Sequence, residues 1–93
     1  MIEFTRNAKD DIDYFSVHHR RVIVAGIVAH LRCDAEVETR SRKKMRQNPV
    51  SPWELRIDDF RVFYSVEGRS VNVVAVGRKE RNDLYIRGAK VSF

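Results

Sequence analysis

Apolar residues recur with two different periods along this chain, and the change of period divides it into a helical first half and a stranded second half. Ile2 and Phe4 flank Glu3 with a period of two, which predicts a short edge strand over Met1–Thr5. Asn7 then suits a helix N-cap, with Asp10 three residues on and Asp11 beside it. Such acidic side chains complement the positive end of a helix. Ala8, Ile12 and Phe15 recur at i, i+4 and i+7, so a first helix is predicted over Ala8–Val17. From Arg20 to Ala35 the set Val24, Ile27, Val28, Leu31 and Ala35 keeps helical spacing. The β-branched run Val22-Ile23-Val24 would suit a strand, but about fifteen residues without a turn signal are too many for one. A helical hairpin is expected.

Arg40, Arg42, Lys43, Lys44 and Arg46 follow, with only Ser41 and Met45 between them, and Asn48-Pro49 and Ser51-Pro52 break any helix. This segment is expected to be an exposed basic connection. Trp53–Ile57 and Phe60–Val66 then read as strands joined at Asp58-Asp59. A third, Val71–Val76, is nearly all apolar, as a covered central strand would be. The order β-α-α-β-β-β predicts an α+β domain, a helical hairpin packed on a small mostly antiparallel sheet. The 93 residues, 43% of them hydrophobic, are enough for one domain over 1–93 and exclude intrinsic disorder.

Charge adds a direction. Residues 1–39 carry five basic and seven acidic side chains, a net of −2, whereas residues 40–93 carry thirteen and six, a net of +7. A positive potential over the second half would attract a polyanion, nucleic acid first, although a basic surface also serves solubility or an acidic protein partner. The longest apolar run, Val22–Ala29, is interrupted by Gly26 and is too short to span a bilayer. Glu3, Arg6 and Asp10 stand where a signal peptide would need apolar residues. Cys33 has no partner for an internal disulfide, so a reduced, cytoplasmic protein is expected.

A two-residue loop at Asp58-Asp59 would set Ile57 opposite Phe60, Arg56 opposite Arg61, Leu55 opposite Val62, Glu54 opposite Phe63 and Trp53 opposite Tyr64. One face then collects core residues, and the other carries Glu54, Arg56, Arg61 and Phe63. Opposed like charges destabilise a strand pair, so Arg56 against Arg61 calls for something negative between them. Either a phosphate supplies it, gripped by guanidinium forks with Phe63 offering a stacking surface, or Glu54 or an Asp does. A second group, Gly77-Arg78-Lys79-Glu80-Arg81-Asn82-Asp83-Leu84-Tyr85, follows the central strand. There a glycine is expected to end the strand.

The hairpin Trp53–Tyr64 and this Gly-Arg-Lys-Glu-Arg-Asn-Asp-Leu-Tyr tail together resemble the RelE/ParE superfamily of toxins from type II toxin–antitoxin systems, over essentially the whole chain. The resemblance implies a small endoribonuclease, without metal or other cofactor, that cuts mRNA in the ribosome, and a cognate antitoxin protein as partner. It implies that Arg61 holds the scissile phosphate, that Lys79 and Arg81 contact phosphate and assist the leaving group, and that Tyr85 orients a nucleotide. Arg56, Arg78 and Phe63 would contact the nucleic acid, and Arg42, Lys43, Lys44 and Arg46 either its backbone or the antitoxin's acidic segment, unless they are simply solvated.

One departure concerns the general base. RelE-like toxins carry two lysines on the strand entering the hairpin, where this chain has Pro52 and Glu54. Glu54 either replaces the base or pairs with Arg56 or Arg61. The alternatives to cleavage are a ParE-like inhibitor of DNA gyrase and a homologue that only binds antitoxin. His18, His19 and His30 lack metal-ligand spacing, and Cys33 lacks the partners of a nucleophile.

Overall fold

The computed structural model describes residues 1–45 and 51–92. Arg46 and the Asn48-Pro49 break lie outside the described residues. The elements run β1 (Ile2–Phe4), α1 (Arg6–Asp13), α2 (Val17–Leu31), β2 (Arg42–Lys44), β3 (Trp53–Ile57), β4 (Phe60–Glu67), β5 (Ser70–Glu80), β6 (Asp83–Ile86) and β7 (Ala89–Val91). The class is α+β, two helices on a mostly antiparallel sheet.

The helices begin at other caps than the sequence suggests. Thr5, not Asn7, caps α1, its Oγ1 accepting the Ala8 N–H at 3.1 Å. The chain turns into the helix directly after β1, so Asn7 is already inside it. Ser16 accepts the His19 N–H at 3.2 Å and opens α2 at Val17, which ends the first helix at Asp13 rather than Val17. Leu31 closes α2 four positions before the predicted Ala35.

The sheet is larger than predicted, in the order β2-β3-β4-β5-β6-β7, with β1 pairing β5 in parallel. Arg42–Lys44, expected as a bare connection, is a strand beside β3. Gly77 does not end the central strand. Its missing side chain lets β6 approach, since a Cβ there would lie 2.6 Å from the Tyr85 carbonyl oxygen. Strand β5 therefore continues to Glu80. The β3–β4 pair has the register predicted, Trp53 opposite Tyr64 through Ile57 opposite Phe60. Between β4 and β5 a bulge shifts the register, Phe63 facing Ala75 and Tyr64 facing Val73. Val74 is the extra residue, so Val73 and Val76 both reach the core.

The core lies between helices and sheet. Ala8, Ile12, Phe15, Ile23, Ile27 and Leu31 pack there on Leu55, Phe60, Val62, Tyr64, Val73 and Val76. Burial and a 2.6 Å bond to the Ala35 carbonyl hold Tyr64 inside, and desolvation pushes its phenol up to about 12.

Along one edge of β5 the partner strand changes from β1, which pairs as far as Val73, to β6, which pairs from Arg78 onward. Side chains serve the backbone in the gap. Thr5 Oγ1 donates to the Val74 carbonyl at 3.2 Å, and Asp11 Oδ2 accepts the Val76 N–H at 2.9 Å. Asp11 is 1% exposed and also meets Arg87 Nε at 2.9 Å.

Candidate functional site

Strand alternation distributes the chemistry-bearing side chains over two faces. On the face away from the helices, Glu54, Arg61, Phe63 and Lys79 line a shallow depression of about 300 Å³, joined by Met45, Leu84 and the C-terminal strand. Glu54 and Arg61 come from the predicted hairpin, and Lys79 from the extension of β5. Opposed positions across a sheet share a face, so Lys43, paired with Glu54, and Arg56, paired with Arg61, belong to this side too.

Glu54 supplies the negative group that the facing arginines required. Its Oε1 accepts from Arg56 Nε at 2.8 Å and lies 3.8 Å from Arg61 Nε. The Glu54 side chain is 12% exposed and Arg61 14%, against 45% for Arg56, so Arg56 is the member nearest to solvent. Arg61 Nη1 donates to the carbonyls of Asp58 and Phe60 at 2.8 and 2.9 Å, which folds its guanidinium toward the hairpin turn. The Lys79 N–H donates to the Asp59 carbonyl at 2.7 Å, tying β5 to the same turn. Phe63 is buried at 1% exposure outside the main core and floors the depression. Lys90 and Asp83 form an ion pair of 3.4 Å at its rim.

The rest of the predicted group is elsewhere. Arg78 and Tyr85, which pair across β5 and β6, face the helices and line a separate cleft with Tyr14, Phe15, Ser16 and His19. Arg81 sits in the exposed β5–β6 turn at φ 59. Arg42 also faces the helices, where Nη1 donates to the His30 carbonyl at 2.7 Å and Nε to the Val37 carbonyl at 2.8 Å. It thereby caps the carbonyl end of α2. Lys43 and Lys44 are exposed on β2. Among the described residues no three His, Cys, Asp or Glu side chains gather as a metal ion would need, and no helix is long and apolar enough to cross a membrane.

Reasoning from the sequence missed Asp11 and Arg87. The legible signal was an aspartate three residues after Ala8 and one before Ile12, beside the apolar stripe of α1, a place where a carboxylate reaches the sheet. It also missed Leu84 and Lys90, which meet the depression only because β6 and β7 fold back along β5.

Solved structures that share the fold include chains of two toxin–antitoxin complexes. One chain of the toxin–antitoxin complex RelBE2 from Mycobacterium tuberculosis superposes with a TM-score of 0.67 and 16% identity, over 85% of this chain and 96% of that one. One chain of the RelB–RelE antitoxin–toxin complex from Methanococcus jannaschii gives 0.63, also at 16% identity, over 82% and 88%. The fold is one used in RelBE complexes. No family model and no curated protein sequence matches the chain.

Proposed function

We propose that this chain is the toxin of a type II toxin–antitoxin pair, and that its open sheet face binds mRNA on the ribosome and cleaves it without a metal. The observation that carries the reading is the convergence of Arg61, Lys79, Glu54 and the Phe63 ring in one depression. The fold shared with components of two RelBE complexes supports the toxin–antitoxin role.

The chemistry follows from what transesterification of RNA requires. The Glu54 carboxylate takes the proton of a ribose 2′-OH, and the freed oxygen attacks the adjacent phosphorus. The bond from phosphorus to the 5′-oxygen breaks, leaving a 2′,3′-cyclic phosphate. The Lys79 ammonium protonates the departing oxygen; Glu54 then releases its proton to solvent and Lys79 takes one up from it, so that both groups are restored. Arg61 and Arg56 neutralise the extra negative charge of the pentacoordinate state. For this, Arg56 exchanges the Glu54 oxygen for phosphate, which its exposure permits. Phe63, expected as a stacking surface, is only 1% exposed and instead floors the depression under the phosphate. Lys43 extends the cationic track along β2, whereas Lys44, opposite Trp53, belongs to the other face. The antitoxin partner is a protein with an acidic segment that covers this depression, encoded beside this gene.

Purified protein added to a translation reaction should yield mRNA cut within the reading frame, with 2′,3′-cyclic ends mapped by sequencing. Intact message in stalled ribosomes would overturn the reading. The ion pairing of Glu54 gives weight to a second one, in which the face binds without cutting. In that case message stays whole and supercoiling by purified gyrase is inhibited with no ribosome present.

A further inference from the structure

On the helical side of the sheet, the cleft lined by Arg78 and Tyr85 has a volume of about 630 Å³, within the usual range for small-molecule sites. We infer that it binds a phosphate monoester carried on a flat ring, a nucleoside 5′-monophosphate. The reading is independent of whether the open face cuts RNA.

Three observations carry it. Arg78 is a cation that no carboxylate among the described residues pairs. Its Nε is buried and makes no hydrogen bond, and its guanidinium lies 5.7 Å from the centroid of the Phe60 ring, which fixes it in place. Glu80, on the same face two residues on, is exposed at the rim and forms no ion pair with it among the described residues. Arg87 also lines the cleft but is neutralised by Asp11. The second observation is the positive end of α2. Ser16 opens that fifteen-residue helix into the cleft, and its first turn holds no acidic residue. The third is flat surface, from Tyr14, Tyr85 and His19. One uncompensated guanidinium and one helix end match a single phosphate, and Glu80 at the rim disfavours a polyphosphate.

Calorimetric titration of the full chain with 5′-AMP, inorganic phosphate and adenosine tests this. AMP should bind one per chain, about tenfold or more tighter than phosphate or adenosine alone. Arg78→Gln should weaken AMP about tenfold or more, the value of a charge-assisted phosphate contact. Lys79→Gln, the next residue but on the opposite face, should change it less than about twofold. Amide signals of Ser16, His19 and Tyr85 should shift with AMP in a two-dimensional NMR spectrum. If Arg78→Gln does not fold, Arg78→Lys, which keeps stem and charge but loses the fork, should still weaken AMP several-fold. Absence of saturable AMP binding would overturn the inference. So would phosphate binding as tightly as AMP, or Lys79→Gln weakening AMP as much as the Arg78 variant does.

Discussion

The two faces of this sheet carry similar cations and balance them differently. On the open face, Glu54 stands between Arg56 and Arg61, so two guanidinium groups share one carboxylate and a net positive charge remains beside Lys79. On the helical face, Asp11 and Arg87 form a one-to-one pair that is inaccessible on the acid side, and Arg78 has no ion-pair partner among the described residues. The open face can trade partners because its pairing is half exposed. The helical face cannot, since its carboxylate also holds the Val76 N–H in the gap between β1 and β6. The Glu54 group is thus suited to exchange with a ligand, and the Asp11–Arg87 pair to holding the sheet together.

Removing Asp11 should break the helical side most severely. Asp11→Ala strands the Val76 N–H and leaves Arg87 unpaired, and such losses cost about 2–4 kcal/mol. Asp11→Asn keeps an acceptor for Val76 and should cost less. Urea unfolding of the two variants measures the difference. A loss below about 1 kcal/mol for Asp11→Ala would mean that water serves the gap as well as the carboxylate does.

The neighbours Arg78 and Lys79 sharpen the contrast. If mRNA is cut on the open face, Lys79→Ala should lower cleavage about tenfold to a hundredfold, as loss of a general acid does. Arg78→Ala should lower it less than about threefold. Equal losses, measured on the same message, would mean that the RNA wraps around the β6–β7 edge and meets both faces.

The same pair of residues shows what the sequence could reveal. The hairpin Trp53–Tyr64 was legible to the residue, because apolar alternation fixes which side chains face inward and a two-residue loop fixes the register. The tail was legible as basic but not as two-sided. Gly77 reads as a strand end, whereas in the structure it is the place where β6 lies too close for a side chain. Once β5 runs through Gly77, alternation sends Arg78 inward and Lys79 outward, and a cluster in sequence becomes two groups in space. The short strand β2 was hidden for another reason. Three consecutive cations carry no alternation, and only pairing with β3 makes them a strand. Caps failed locally, since Thr5 and Asn7 are both good N-caps and the length of β1 decides between them.

Glu54→Gln probes the open face with a smaller effect. The amide cannot hold Arg56 and Arg61 by charge, so binding of a non-cleavable RNA should tighten by about twofold to fivefold while cleavage falls. Stability should change by less than about 1 kcal/mol, because the Arg56 end of the pair is half exposed. Unchanged RNA affinity would mean that the arginines remain bound to backbone carbonyls, as Arg61 is to Asp58 and Phe60.

The smallest effect concerns protonation of Asp11. Burial raises its carboxyl above the ordinary 3.8, and the Val76 N–H and Arg87 only partly oppose that shift, with Asp10 adding to it. A carboxyl whose folded pKa lies above its unfolded one binds its proton more firmly in the native state. Its contribution to stability is therefore greatest below the unfolded pKa and is lost as pH rises through the folded one. Other carboxylates titrate over the same range, so the comparison needed is with Asp11→Asn, which lacks this proton and shares the rest. As pH falls from neutrality through the carboxyl range, the wild-type chain should gain stability relative to Asp11→Asn, read from urea midpoints at each pH. The opposite trend would mean that attraction to Arg87 outweighs desolvation, and that the helical face holds its carboxylate by charge rather than in spite of it.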